Sequence, residues 1–235
     1  MTERDWIREV EAWLETNFVV LCKAISQPIP FSGLRISPPL NCDEAKYFVL
    51  GREAGLFDTN QLGQVQSQLL QRSAEGSRFG SCRIFQYDSL PPRLIRETVC
   101  QLSTAADLIL NRGWLVSHLQ IGSTDKNAAG EPYGIDVLVR SRTGGILICV
   151  EIKRTTAELQ KLVTDFRACC HRGPHSKDEC GFPQNHPIYE FCTIYKPLYF
   201  WAVAPGGQIC FRLNYDNASV EPEQLSSLPP RSLIE

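Results

Sequence analysis

The sequence predicts a mixed α/β protein: a central mixed sheet flanked by helices, with a helical region ahead of it. Three features point there. Apolar residues recur at three- and four-residue steps over residues 4–26, helix and strand signals alternate over 91–213, and two short strands face each other across a Gly-Gly turn. A chain of 235 residues can bury one good core, or one core plus a small appendage. The expected division is an N-terminal helical or mixed region (1–88), an α/β core (89–216) and a polar tail (217–235).

The first helix is expected over residues 4–26, with Trp6, Val10, Trp13, Leu14, Phe18, Leu21, Cys22 and Ile25 on one stripe, ending before Pro28 and Pro30. Residues 31–87 give a mixed signal. The glutamine-rich stretch from Gln61 to Gln71 suggests a short helix through Leu62, Val65 and Leu69. Pro91 and Pro92 are expected to open a helix with Ile95, Val99, Leu102, Ala106 and Ile109 on its apolar face and Gly113 at its end. A strand over 114–121, a polar loop over 123–131 and a hairpin of 134–140 with 146–153 follow. Thr155 and Glu158 then fit a capping box opening a helix on Leu159, Leu162, Val163 and Phe166. The last strands are expected at 197–204 and 208–213, and the tail beyond Asn214 reads as loosely held.

Charge is out of character inside the hairpin. Asp136 sits among Ile135, Val137, Leu138 and Val139, while Glu151 and Lys153 interrupt and follow a five-residue apolar run. Side chains two apart on a strand share a face, so Glu151 and Lys153 point the same way. Asp136 converges on them if the hairpin carries a bulge or an offset register. Two carboxylates suit a hard cation such as Mg²⁺, and a neighbouring ammonium suits developing negative charge, which together equip a site for phosphodiester hydrolysis. The competing explanation is an ion pair on an exposed sheet face, worth little.

The segment around Gly134, Asp136, Glu151 and Lys153, with a helix and strand before it and an amphipathic helix after, resembles the PD-(D/E)XK nuclease superfamily. Its nearest flavour is that of Mrr-type restriction endonucleases and Holliday-junction resolvases, and the resemblance covers roughly residues 91–213. It implies a restriction-endonuclease-like core in which Asp136, Glu151 and the carbonyl of Ile152 bind Mg²⁺, with Mn²⁺ able to substitute, and Lys153 assists the attacking water. The pair Tyr133-Gly134 stands where many members have Pro-Asp. Members often place a glutamate on the first helix; here Glu97 is the glutamate available, although spacing from Gly113 falls nearer Gln101. Gln160 on the second helix matches a glutamine that some members use beside the site.

A second cluster lies between Cys169 and Cys192. Three of the four histidines (His171, His175 and His186) stand there with Cys169, Cys170 and Cys180, in what reads as a loop of about 25 residues. Zinc held by His171, His175, Cys180 and His186 would order such a loop, although the spacing matches no standard finger. A partly ordered loop near the site is the alternative.

The formal net charge of -2 excludes a polycation that binds nucleic acid indiscriminately. Locally, residues 140–177 hold eight lysines and arginines against three acidic residues, a modest basic face able to meet phosphates. No apolar run approaches the roughly 18 residues that span a bilayer. The charged N-terminus does not read as a secretory signal, and the ten cysteines are expected to be reduced in a cytoplasm. The expected function is a Mg²⁺-dependent nuclease, most simply a DNA endonuclease of a restriction, defence or repair system, and a homodimer if both strands are cut. The alternatives are a nuclease fold with a lapsed site that binds DNA or serves as a scaffold, and an interaction protein docking through Trp6, Trp13 and Phe18.

Overall fold

The computed structural model describes residues 4–60, 62–70, 80–87, 91–123, 125–216 and 219–234. Gln61, Gln71, Thr124, the boundary expected at 88–89 and tail residues 217, 218 and 235 lie outside the described residues. The chain divides into two compact units, Met1–Arg112 and Gly113–Glu235. The protein is mixed α/β, with a six-stranded mixed sheet in the second unit.

In the first unit, helix α1 (Trp6–Ala24) opens where the Asp5 side chain accepts the Arg8 N–H, and it buries Val10, Leu14, Phe18, Leu21 and Cys22 along one stripe. Helix α2 (Cys42–Glu53) opens in the same way on Asn41. Strands β1 (Asp58–Thr59), β2 (Val65–Ser67) and β3 (Gly80–Cys82) form a small antiparallel sheet, and β4 (Phe85–Gln86) pairs with β5 (Arg93–Leu94). Helix α3 (Arg96–Leu110) closes the unit.

Two expectations are corrected here. Val65, Ser67 and Leu69 are buried while Gln66 and Gln68 are exposed. That alternation has period two, so the glutamine-rich stretch yields β2 where a helix was expected. The helix expected from Pro91 begins only at Arg96, because Arg93 and Leu94 are drawn into backbone pairing with Gln86 and Phe85.

Packing in this unit runs from α1 to α2 to α3. A Cβ on Gly51 would stand 2.7 Å from the Phe57 ring and 2.9 Å from the Ala106 Cβ, so only glycine allows this approach of α2 to α3. A buried ion pair ties the same helices. Arg96 donates to Glu44 Oε1 at 2.8 Å and to Oε2 at 2.7 Å, and its Nε donates to the Pro38 carbonyl at 2.8 Å. The two side chains are 2% and 5% exposed. Two parallel charge-assisted bonds satisfy charges that burial would otherwise penalise heavily.

In the second unit the sheet runs β11-β10-β9-β8-β7-β6. A single 3-10 turn (Val116–His118) precedes β6 (Leu119–Ile121), so the strand expected over 114–121 is shorter than its apolar pattern. Strands β7 (Val137–Arg140) and β8 (Ile146–Ile152) form the expected antiparallel hairpin. Helix α4 (Thr156–Arg172) starts on Thr155, whose hydroxyl accepts the Glu158 N–H. The Glu158 carboxylate returns to the N–H and guanidinium of Arg154, one residue earlier than an ideal capping box. The Arg154 guanidinium holds that carboxyl below the usual carboxylate range.

A helix not expected from sequence, α5 (His186–Tyr195), follows. The 25-residue loop is therefore 13 residues, 173–185, since α4 and α5 claim its ends. Strand β9 (Tyr199–Ala204) returns parallel to β8, and β10 (Gly207–Asp216) turns back antiparallel to β9. Strand β11 (Ser219–Leu225) then forms the sheet edge out of residues expected to be a loose tail. It carries Pro222 and three glutamate or glutamine residues, a composition that an edge strand tolerates and a central one does not.

Strand β8 sits third from the β6 edge and is buried along almost its whole length, as expected of a strand covered on both faces. On one face Leu138, Cys149, Phe200, Ala202, Phe211 and Leu213 pack with Leu159, Leu162, Val163 and Phe166 of α4 and with Ile188, Phe191 and Cys192 of α5. Among the described residues no helix is long and apolar enough to cross a membrane.

The Arg96–Glu44 pair generates a stability prediction. Glu44→Ala is expected to cost about 3–5 kcal/mol, because it leaves a buried guanidinium without its carboxylate. The double replacement Glu44→Leu with Arg96→Met is expected to cost clearly less. Urea denaturation of the three proteins checks this, and equal stability of Glu44→Ala and the parent would contradict it.

Candidate active site

The register of the β7–β8 hairpin decides where its charged residues meet. Val137 pairs with Val150, Leu138 with Cys149 and Val139 with Ile148, but Arg140 pairs with Ile146. Leu147 is therefore the extra residue of a bulge beside the turn, which displaces the rest of the ladder by one place. Continuing the shifted register one step past Val137 and Val150 sets Asp136 opposite Glu151.

The chain arrives at Asp136 through Gly134, whose φ of +71° belongs to the left-handed region that favours glycine. Asp136 lies one residue before β7, not within it as expected. Its backbone carbonyl still accepts the Gly122 N–H at 2.8 Å. Its side chain crosses to β8, where Oδ2 accepts the Ile152 N–H at 2.7 Å. A carboxylate thus takes a donor that regular antiparallel pairing would give to a backbone carbonyl.

Lys153 lies one residue past β8, its own N–H donating to the Val203 carbonyl of β9 at 2.8 Å. Its Nζ donates to Glu151 Oε1 at 2.7 Å. The Glu151 and Lys153 side chains are 11% and 23% exposed, so the pair stands at the rim of the core and is shielded from solvent more than a surface pair. Strand alternation puts Asp136, Glu151 and Lys153 on the face shared with Leu138 and Cys149.

The structure thus brings together Asp136, Glu151, Lys153 and the main chain of Ile152 at one end of two adjacent strands. Gln160 is exposed on α4. Glu97 is half-buried in the first turn of α3, in the first unit.

The basic face is weaker than its composition suggests. Of the eight cationic residues in 140–177, Arg140 pairs with Asp125, Lys153 with Glu151, Arg154 with Glu158, Lys161 with Asp165 and Lys177 with Glu131. Arg142, Arg167 and Arg172 have no ion pair among the described residues, and Arg167 donates to Gln224 while Arg172 donates to the Glu179 carbonyl.

The Cys/His cluster is arranged differently from its expectation. The ligand atoms of Cys169, His175 and Cys180 all lie within 4.8 Å of one another. Neither His171, exposed on the last turn of α4, nor His186 is among them, although both were expected as ligands. Cys169 takes the place of His171 because the helix runs four residues further than a loop would allow, turning Cys169 inward beside Phe166 and Cys170. Desolvation pushes the Cys169 thiol up to about 12, with the Cys180 sulfur adding to the effect, and desolvation does the same to Cys170. Near this cluster a cleft of about 780 Å³ is lined by His175, Lys177, Tyr189, Glu190, Lys196 and Tyr215, among others, and none of Asp136, Glu151 and Lys153 reaches it.

No protein-family model matches the chain, and neither a curated protein nor a solved structure matches it.

The Asp136–Ile152 bond separates a structural role from a chemical one. Asp136→Ala leaves the Ile152 N–H without its acceptor and is expected to lose about 1–3 kcal/mol. Asp136→Asn keeps an acceptor oxygen while removing the charge, and is expected to stay within about 1 kcal/mol of the parent. Denaturant titration of both variants measures this; an Asp136→Ala protein as stable as the parent would show that the bond contributes nothing.

Proposed function

We propose that this protein is a metal-dependent nuclease that hydrolyses phosphodiester bonds, with Asp136, Glu151 and Lys153 as its catalytic residues. The observation that carries the proposal is the Asp136 carboxylate reaching across to the Ile152 N–H, which anchors it at the strand end where Glu151 and Lys153 also lie. Further support comes from the order helix, three antiparallel strands, helix and parallel strand, followed by α3, β6, β7, β8, α4 and β9 apart from the added α5. That order and the trio are the features through which the chain resembles the PD-(D/E)XK superfamily, and the resemblance makes DNA the substrate to test first.

The donor set fits a hard divalent cation: two carboxylates, one of them almost buried, and the main chain of Ile152 between Glu151 and Lys153. Asp136 and Glu151, with the Ile152 carbonyl, would hold Mg²⁺ or Mn²⁺. Such an ion supplies Lewis acidity and makes a bound water more acidic. The protein's own contribution is placement. Asp136 is held by the Ile152 N–H, and Lys153 brings a positive charge within 2.7 Å of Glu151, where it can steady negative charge on a phosphoryl oxygen. Partial burial of the pair strengthens that field relative to a solvated surface.

A second reading has one observation in its favour. Protein partners already meet the Glu151–Lys153 charges and Asp136 Oδ2 in this structure, as a purely structural cluster requires. A nuclease fold with a lapsed site that binds nucleic acid or serves as a scaffold fits that arrangement.

Cleavage distinguishes the two. Plasmid, linear and branched DNA and RNA incubated with the protein in Mg²⁺ or Mn²⁺ are expected to be cut, with no cutting in chelator. Asp136→Asn and Lys153→Ala are each expected to lower the rate by about 100-fold or more while remaining folded. Binding without metal-dependent cleavage supports the lapsed site, and cleavage unchanged in both variants removes the trio from the mechanism.

A further inference from the structure

We propose that Cys169, His175 and Cys180 form a zinc site that clips the end of α4 to the segment leading into α5. The ligand atoms already lie within 4.8 Å of one another. The two sulfurs stand 3.4 Å apart, and both cysteines are free. That is far longer than a disulfide bond of about 2.05 Å. It is close to the ~3.8 Å expected for two thiolates on a tetrahedral zinc with Zn–S of ~2.3 Å.

The histidine is prepared as a ligand. His175 Nδ1 lies 2.6 Å from the Gly173 carbonyl, which can only accept, so in the neutral ring the proton is on Nδ1 and the lone pair is on Nε2. His175 Nε2 is buried and has no hydrogen-bond partner. A ligating imidazole that donates its other N–H to a backbone carbonyl is the usual support around zinc, and it leaves Nε2 as the metal-facing nitrogen. Stacking on the Tyr189 ring, with centres 5.0 Å apart and planes at 21°, holds the imidazole in place.

The Cys180 sulfur is prepared as well. It accepts the Phe182 N–H at 3.3 Å, a main-chain bond that fixes the orientation of the sulfur. A further imidazole stands close by: His186 is 3% exposed, and its ring centre is 5.0 Å from that of His175. Its Nε2 faces the His175 carbonyl at 3.2 Å, and its Nδ1 is buried without a partner.

Charge and softness select the ion. Two cysteines and one imidazole are soft and borderline donors that favour zinc over magnesium. Binding converts two thiols to thiolates and releases two protons to solvent, giving a neutral Zn(Cys)₂(His) unit that a largely buried location accepts at little cost. The same face of α4 is tied to this segment a turn earlier, where Asn185 donates to the buried Asp165 at 2.7 Å. The clip therefore completes the ordering of 173–185, a connection with no helix or strand of its own.

Metal analysis of the purified full chain, expressed in zinc-replete medium and dialysed, tests the proposal together with Co²⁺ substitution of the stripped protein. One zinc per chain is expected. Co²⁺ is expected to give a sulfur-to-metal charge-transfer band in the near ultraviolet, bleached by added Zn²⁺. Cys180→Ser and His175→Ala are expected to lower zinc affinity by more than the ~10–100-fold that follows loss of a supporting hydrogen bond. Cys149→Ser, at a buried cysteine outside the cluster, is expected to retain both metal content and band. Far-UV circular dichroism shows whether each variant is folded, and His175→Ala, at a half-exposed position, provides a folded test if Cys180→Ser is not. A parent protein without zinc and without a cobalt band overturns the site. So does a Cys169–Cys180 disulfide in protein isolated without reductant, or zinc affinity unchanged in folded His175→Ala.

Discussion

The proposed active end of the sheet depends on one hydrogen bond, from the Ile152 N–H to the Asp136 carboxylate. It forms where the β7–β8 ladder stops, and it replaces a backbone acceptor with a charged side chain. The bond draws the Asp136 carboxylate from the end of an apolar strand toward β8. With it, the carboxylate is held against the residue that separates Glu151 from Lys153. The bulge at Leu147 is its precondition, because the displaced register is what brings residues 136 and 151 opposite each other.

Burial gives this arrangement its chemical potential. Strand β8 has neighbours on both sides and is covered along almost its whole length, so charge appears only where the strand ends. Glu151 is 8% exposed, and the Lys153 ammonium reaches it from two residues further on. A carboxylate so placed needs a cation, and Lys153 answers that need in the structure. A divalent ion would answer it differently, and the choice between these two partners separates a catalytic centre from a structural one. Most of the basic residues nearby are matched by a carboxylate of their own.

The two chemically distinctive parts of the second unit use opposite donor sets. Oxygen donors and an ammonium gather at the end of β7 and β8, whereas thiols and an imidazole gather where α4 gives way to 173–185. Hard and soft donors select different ions, so the two clusters would not compete for one metal. Helices α4 and α5, with Cys180 from the connection between them, share one core with Leu138 and Cys149 of the hairpin.

The sequence by itself determined which residues carry charge in apolar surroundings, the helix–strand order of residues 96–172, the hairpin and the start of α4. These are local properties: periodicity, a capping threonine and a Gly-Gly turn act within a few residues. It left β2, α5 and β11 unseen, each for a physical reason. Strand β2 has apolar spacings compatible with a helix, and only its sheet partners choose period two. Helix α5 opens on His-Pro within a run of cysteines and histidines, where proline in a first turn is easily taken for a loop. Strand β11 is polar because it is an edge, and edges reveal themselves only by what they pair with.

Tertiary structure alone decided that Asp136 stands outside its strand and bonds to Ile152, and that Cys169 joins His175 and Cys180 where His171 had been expected. Both outcomes turn on register and helix phase. A shift of one residue reverses which way a side chain points, and short-range pattern does not specify that shift.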